Sequence, residues 1–560
     1  MPQINYRLLI VVLGALFFIP FLGSAPLFDW DEANFAESAR EMLVSGNYSR
    51  VTINFQPFWE KPPLFIWMQA ACMRIFGVSE FSARLPNALF GVITLLTVFN
   101  IGVKIRNERL GFLWAMMLMS SFLPHVYFKS GIIDPVFNYF IFLAIWHLSL
   151  FIGKRDEVKS LVSPILAGLY MGLAVLTKGP VGILIPGLVL AVFTLWQRFK
   201  AIITFKQSVS CIFALLLPVL AWLLPEVVHN GFWFVEEFIA YQIRLFSTPD
   251  AGHAQPFYYH FVVVLFGCFP ASVFGISMLF SKVELRLNHH RFALWMRILL
   301  WTVLILFSIV TTKIVHYSSL AYLPLCALAA ISADSYLEGR QTWRWPKLVF
   351  YCLIGSILGA AMLAIPYIGK NIQLIAPYIK EAFASQALNA KVEWPWYTML
   401  PGIIWLLGLP FSIFLLRNHN RKAALYWSLV PTLLATSLFL VWFPWRISQY
   451  SQGAAIDFYS SVRGKKAYLE TFYFKSYAQY FYSGKTGLNE MERKNCKDTS
   501  GYYHVDVLRN WYLTGAIDRP FYFVIKNDRK DEFLAYPDVQ LLEERNGFIF
   551  MMRKAPKKSK

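Results

Sequence analysis

Charge is scarce in this chain. Only 15% of its 560 residues are Asp, Glu, Lys or Arg, against about 25% in soluble domains, so a wet globular surface all round is excluded. Six cysteines form no disulfide framework and no CxxC metal pair, because Cys72, Cys211, Cys268, Cys326 and Cys352 lie in apolar segments and Cys496 stands alone. No period of solenoid length recurs, and no inverted symmetry marks a transporter. Despite a formal net charge of +19, the basic, aromatic-interleaved stripe of a nucleic-acid binder is missing. No small-residue cleavage pattern follows the first apolar run, Leu8 to Phe28, which therefore reads as a retained anchor.

What is present is apolar length: 57% of residues are hydrophobic and 17% aromatic. Runs long enough to span recur near 8–27, 82–103, 111–128, 133–152, 163–177, 180–196, 209–228, 257–280, 295–312, 317–333, 346–366, 397–416 and 423–443, which predicts a polytopic α-helical membrane protein of about 13 spans. Every second connection is basic: Lys104/Arg106/Arg109, Lys154/Arg155/Lys159, Arg198/Lys200/Lys206, Lys282/Arg286/Arg291, Arg340/Arg344/Lys347 and Arg417/Arg421/Lys422. The positive-inside rule makes these cytoplasmic, together with Arg7 and the N-terminus. The alternate, outer connections carry only isolated lysines, Lys61, Lys129, Lys178 and Lys313. Snorkelling explains any one of them; four on one side suggest another task.

The first outer loop, 28–80, holds the densest set of ionisable groups. Asp29, Asp31 and Glu32 follow the first apolar run, and Phe35, Ala36, Ala39, Met42 and Leu43 then recur at helical spacing, predicting an amphipathic helix along the interface. A second amphipathic stretch runs from Leu64 to Phe76, just after Glu60, Lys61 and two prolines. Beyond Trp445 hydropathy falls. Lys465–Leu469, Tyr522–Lys526, Val539–Glu544 and Phe548–Met552 read as strands, and Phe474–Phe481 and Val505–Tyr512 as helices. Residues 1–445 are thus expected to form a membrane catalytic domain and 446–560 a small extracytoplasmic α/β domain ending in a basic, disordered tail.

Asp31, Glu32, Glu60, Lys61, Asp134, Lys178, His253, Lys313, His316 and Tyr317 all flank spans on the outer side. Lysines hold a phosphate as charge builds on it, and a carboxylate accepts the proton of an attacking hydroxyl or amine. Displacing a lipid phosphate from a sugar requires both. Plainer readings stand beside this one: Asp31 as a helix N-cap, Glu60–Lys61 as a surface ion pair, Asp134 as a helix start before proline, and both histidines as interfacial. No His/Glu/Asp spacing defines a metal site by itself.

With a span followed by DE, then AESAREML, SGNY, EKPP, an aspartate opening the fourth span, TKGP, and a lysine-bearing segment before YLP, the chain resembles the GT-C glycosyltransferases of the PMT/ArnT type. The match is closest to the bacterial aminoarabinose-transferase branch. It covers the first 330 residues well and the rest by architecture.

The resemblance implies an inverting enzyme that moves a sugar from a polyprenyl (undecaprenyl) phosphate to lipid A, another glycolipid or a protein. It implies a monomer in contact with membrane lipids, on the periplasmic face of a bacterial inner membrane, with no nucleic-acid partner. Carried over, Asp31 is the catalytic carboxylate, and Lys61, Lys178, Lys313 and Arg244 are donor-phosphate contacts. Glu32, Glu60 and Asp134 shape the site, with Glu60 and Asp134 as candidate ligands of a divalent metal. Asn34, His253, Tyr258, Tyr259, His316 and Tyr317 are candidate substrate contacts. Where the family carries Arg-Tyr, this chain has Asn34 and Phe35, which leaves the sugar open. A flippase for lipid-linked sugars would place its charges in mid-span, and a glycan-recognition protein would need only the C-terminal domain; the one-sided charges favour an enzyme.

Overall fold

The computed structural model describes residues 5–152, 160–200, 203–247, 255–280, 291–418, 420–497 and 504–555; His253, Lys154, Arg155, Lys159, Lys282, Arg286 and the end of the basic tail lie outside them. The chain opens with α1 (Tyr6–Phe18) and α2 (Asp31–Ser45). The hairpin of β1 (Thr52–Ile53) and β2 (Gln56–Pro57) precedes α3 (Leu64–Phe76). Then come α4 (Glu80–Ile105), α5 (Glu108–Ser120), α6 (Phe122–Phe128), α7 (Asp134–Phe151), α8 (Val162–Lys178), α9 (Val181–Trp196), α10 (Phe205–Asn230) and α11 (Trp233–Ser247). The remaining membrane helices are α12 (Tyr259–Gly267), α13 (Ala271–Leu279), α14 (Phe292–Ile309), α15 (Tyr322–Leu337) and α16 (Trp345–Lys370), then, after the short α17 (Ala382–Ala387), α18 (Leu400–Arg417) and α19 (Arg421–Gln449).

Each predicted apolar run contains helix, but fewer qualify as spans than the 13 expected. Among the described residues, eight helices are long and apolar enough to cross a membrane, or nine if α5 and α6, bent by 79°, count as one. Helices α1, α8 and α9 are shorter, and the run at 257–280 is divided between α12 and α13. The first run shows why length misleads. Helix α1 stops at Phe18, ahead of Pro20 and a Phe21 at φ 62°, and two cations, a half-buried lysine and a buried arginine, take the carbonyls that helix would have bonded. Lys129 Nζ donates to the carbonyls of Phe17, Phe18 and Pro20 at 3.2, 3.2 and 2.6 Å. Arg84 donates to those of Leu22, Ala25 and Pro26 at 2.7–2.8 Å. Irregular backbone persists at this depth because protein donors replace water.

Helix α2 departs further from expectation. The sequence predicts one wet face, yet Glu37, Ser38, Arg40 and Glu41 are all buried, as are Ala33, Ala36, Ala39 and Met42. The apolar face shares a core with Ala454, Tyr459, Phe481, Val524 and Phe550 of the C-terminal region. On the polar side Arg40 donates two bonds of 2.7 Å to Glu37 and one of 2.6 Å to the Lys485 carbonyl. Glu41 accepts from Thr52 Oγ1 and the Phe55 amide at 2.7 and 2.9 Å, which pins the hairpin to the helix. Burial and the neighbouring Glu37 push the Glu41 carboxyl up to about 8. The helix is therefore a buried joint rather than an interfacial float.

The C-terminal region is α/β, as its hydropathy implies. Helix α20 (Gly453–Val462) leads into β3 (Tyr468–Thr471), with α21 (Ala478–Ser483) and α22 (Glu490–Asn495) beyond it and α23 (Val505–Thr514) before β4 (Phe521–Lys526). Next, α24 (Lys530–Leu534) precedes β5 (Val539–Arg545) and β6 (Phe548–Arg553). The sheet order is β3-β4-β6-β5, with β3 and β4 parallel and the other pairs antiparallel. The first strand sits about three residues later than its expected Lys465–Leu469, and α20 has no counterpart in the sequence reading. The expected boundary at 445 falls inside α19, which continues to Gln449.

Candidate active site

Local chain breaks aim the charged groups. Lys178 is the last residue of α8; Gly179, at φ 95°, turns the chain and Pro180 caps the start of α9, which leaves the ammonium beside the carbonyl end of its helix. Asp134 opens α7 with Pro135 in the first turn. Asp31 opens α2, but it is not the cap: Trp30 holds that position, at φ 77° and without a side-chain capping bond. Lys61 is carried by the turn before two prolines, and His316 and Tyr317 by a short 3-10 helix entering α15.

These segments meet around one cavity of about 730 Å³. Its lining includes Asp31, Asn34, Glu60, Lys61, Asp134, Lys178, His316 and Tyr317 from the expected set, and Trp30, Tyr241, Thr312, Ile314, Lys475 and Tyr477 in addition. Lys178 Nζ lies 2.6 Å from Asp134 Oδ1. His316 Nε2 is 3.6 Å from Asp31 Oδ2 and 4.0 Å from Asp134 Oδ2, bridging the two carboxylates. Asp31 keeps 42% of its side chain exposed, so its carboxylate faces the void. Lys61 Nζ stands 5.5 Å from the Tyr241 ring, and burial holds its ammonium below the usual lysine value against the pull of Glu60 and Asp31. Lys178 Nζ is 5.2 Å from the Tyr317 ring.

Two further cavities adjoin this one. The first, about 780 Å³, shares Lys61, Asp134, Lys178 and Tyr317 and continues between Phe137, Val181, Ile185, Leu306, Phe307 and Leu320. The second, about 1560 Å³, shares Trp30, Asp31, Ile314 and His316 and runs against Leu22, Phe28, Val126 and Leu440, with no lining residue in common with the first. An acidic and basic centre thus has an apolar groove on one flank and a wide cleft on the other.

Other expected residues are not brought in. Lys313 Nζ donates to the Val310 carbonyl at 2.8 Å, capping α14 outside the cavity. Glu32 lines the wide cleft but not the central cavity, and its oxygens are taken up by structure. It receives Arg84 Nη2 at 2.7 Å, Arg84 Nε at 3.0 Å and the Phe28 amide at 2.9 Å. Burial opposes its charge, but Arg84 and the Phe28 and Gly131 amides hold the carboxyl below its ordinary value. Arg244 is exposed on α11, stacked 5.2 Å from the Tyr241 ring, behind the residue that does reach the cavity. Tyr258 and Tyr259 sit at the start of α12 and do not line it. Glu60 and Asp134 do not suit a divalent metal. Asp134 is already neutralised by Lys178, Lys61 stands among these groups, and among the described residues no three His, Cys, Asp or Glu are grouped to hold an ion.

Lys475 and Tyr477 carried no signal in their own sequence surroundings. Arg84 did carry one, as a lone guanidinium one turn into an apolar run.

Residues 60–222 match the family model described as dolichyl-phosphate-mannose-protein mannosyltransferase. The undecaprenyl phosphate-alpha-4-amino-4-deoxy-L-arabinose arabinosyl transferase of Shewanella sediminis is 26% identical over 451 residues, covering 77% of this chain and 78% of that protein. The protein of the same name from Pectobacterium atrosepticum is 27% identical over 408 residues, covering 69% and 72%. In fold, the crystal structure of ArnT from Cupriavidus metallidurans bound to undecaprenyl phosphate superposes with a TM-score of 0.75 at 18% identity, covering 98% of both chains.

Proposed function

Because this chain is a GT-C glycosyltransferase related to the ArnT and PMT enzymes, inverting and dependent on a polyprenyl-phosphate sugar at the membrane, we propose that the cavity around Asp31 is where the sugar changes hands. The donor's prenyl chain lies in the apolar groove between Phe137, Val181, Ile185, Leu306 and Phe307. Its phosphate sits at the groove's mouth against Lys61 and Lys178. Lys178 gives one of its three N–H donors to Asp134 and keeps the others for phosphate oxygens.

Transfer is a single displacement. The acceptor oxygen bonds to the anomeric carbon from the face opposite the phosphate, inverting it. The C–O bond to phosphate breaks with its electron pair passing to the oxygen held by the lysines, and the acceptor's proton passes to Asp31. Where the acceptor is itself a phosphate oxygen, no proton moves and Asp31 stabilises positive charge on the sugar. His316, 3.6 Å away, orients the Asp31 carboxylate. The acceptor enters by the wide cleft, in line with the opposite flank. No step is routed through a metal.

The N-terminus and basic connections are cytoplasmic in this reading, the chain crosses about thirteen times with short helices included, and the C-terminal domain is periplasmic in a bacterial inner membrane. The acceptor is lipid A, another glycolipid or a protein. The observation that carries the proposal is the meeting of Asp31, Lys61, Asp134, Lys178 and His316 around one cavity beside an apolar groove. Mass spectrometry of glycolipids and glycoproteins from cells with and without the gene tests it: one sugar-bearing species disappears on deletion and returns with the wild-type gene. Unchanged glycolipids and glycoproteins, with labelled donor lipid moving between leaflets instead, would establish a flippase and end the proposal.

A further inference from the structure

We propose that Lys475, presented by the C-terminal region, is the anion seat for the acceptor, so that the enzyme selects acceptors bearing a phosphate group near the attacked position. This rests on the transfer reading above and assigns the half of the cavity that the donor leaves free.

Lys475 and Tyr477 line the same cavity as Asp31, although they lie some 445 residues away in sequence. The Lys475 ammonium stands 5.4 Å from the Trp30 ring and 5.6 Å from the Tyr477 ring. Aromatic faces steady a cation without consuming its hydrogen-bond donors. Lys178, by contrast, is partly neutralised by Asp134. Among the described residues no hydrogen bond or ion pair is made by the Lys475 ammonium, which leaves its three donors for a ligand. A phosphate matches them, with up to two negative charges and three free oxygens.

The mounting supports a fixed position. Trp30 adopts φ 77° and ψ −102°, a conformation that is costly for a bulky residue and persists only where surroundings over-determine it. They do so here. The Trp30 indole donates to the Lys475 carbonyl at 3.0 Å, and Asp29 Oδ1 accepts both the Trp30 and Tyr477 amides at 2.9 Å. Gln452 then clamps the Asp29 amide at 2.8 Å and the Leu27 carbonyl at 2.6 Å. The strained residue is held by the C-terminal region so that its ring lies beside Lys475.

The side is set by the adjoining cavities. Lys475 lines neither adjoining cavity, but its platform Trp30 and the neighbouring Asp31 line the wide cleft and not the apolar groove that Lys61 and Lys178 share. The seat is thus on the acceptor's approach.

The test uses full-length enzyme, a labelled polyprenyl-phosphate sugar, and envelope glycolipid extract either intact or treated with a phosphomonoesterase. Lys475→Ala should raise KM for the intact extract about tenfold with kcat within twofold, Lys475→Arg should restore KM to within about threefold, and neither should change KM for the donor. On treated extract the wild type and Lys475→Ala should coincide. An unchanged KM in Lys475→Ala, an equal rise on both extracts, or a matching rise in donor KM would overturn the proposal. A wild type that transfers sugar to neither extract would remove the transfer reading and this inference with it, a result distinct from the others because it precedes any substitution.

Discussion

Two ionic clusters stand toward opposite ends of α4, a helix about 39 Å long by its 26 residues, and they follow opposite rules. Beyond Ile105, Arg106 and Arg109 each pair with both Asp334 and Glu338, and Arg340 adds a third guanidinium to Glu338 at 2.6 Å. Hydrogen bonding from Arg106 above all, with Arg340 and Arg109, holds the Glu338 carboxyl down to about 2. Every carboxylate is saturated, and the cluster behaves as a clasp between α4, α5 and α15. At the other end Asp31 is 42% exposed with a histidine at 3.6 Å, Lys61 and Lys475 rest against aromatic rings, and the charges enclose a void. Saturated pairing marks structure, and unspent capacity around a cavity marks a site.

Substitutions can break or sharpen that contrast. The largest effect is expected for Asp31→Asn, which should lower kcat by about 100-fold or more with unfolding unchanged; activity within threefold of wild type would remove Asp31 from the mechanism. Asp334→Ala should do the reverse, costing about 2 kcal/mol of stability by removing one of the two carboxylates that Arg106 and Arg109 share, while the folded fraction keeps its specific activity. If Asp334→Ala instead reduced turnover in fully folded enzyme, the two clusters would not differ in kind.

Lys61→Ala should raise the donor KM about tenfold and lower kcat as well, because the same ammonium holds the departing phosphate. Burial lowers the pKa of this ammonium, so its charge is lost as pH rises through that lowered value. Wild-type donor KM should accordingly climb at a less alkaline pH than an ordinary lysine would produce, and the climb should vanish in Lys61→Ala.

The smallest effect concerns Glu41, on the buried joint rather than in either cluster. Its folded-state pKa of about 8 lies above the reference 4.5, so the folded protein retains a proton that the unfolded chain releases. That contribution is fully present below about pH 4.5 and is lost as pH rises to about 8. Thermal unfolding in detergent should fall by about 2 °C or more between pH 5 and 8 from this group, and Glu41→Gln should remove that component.

The four outer lysines show how far sequence reading reaches. Lys61, Lys129, Lys178 and Lys313 look alike by hydropathy, each a lone cation at the end of an apolar run. Lys61 and Lys178 reach the cavity, whereas Lys129 and Lys313 turn back to cap carbonyls at the ends of α1 and α14. Which way an ammonium turns depends on where backbone carbonyls are left unbonded, and that depends on where each helix stops. For α1 it stops at Phe18, with Pro20 just beyond. The buried α2 teaches the same lesson: its spacing describes an amphipathic helix correctly, but the C-terminal region packs on the apolar face and also meets the polar face, where the Lys485 carbonyl accepts from Arg40.

Sequence alone determined that the chain is a bundle of apolar helices with its ionisable groups at their ends, because burying an unpaired charge in mid-span costs too much to recur by chance. It also marked Asp31, Lys61, Asp134 and Lys178, since proline, glycine and helix-end positions leave local traces. Tertiary structure decided which of those ends converge, that Glu32 is bonded by Arg84, and that Lys475 completes the cavity from across the chain. Those outcomes depend on packing between segments hundreds of residues apart, and no local spacing encodes such a contact.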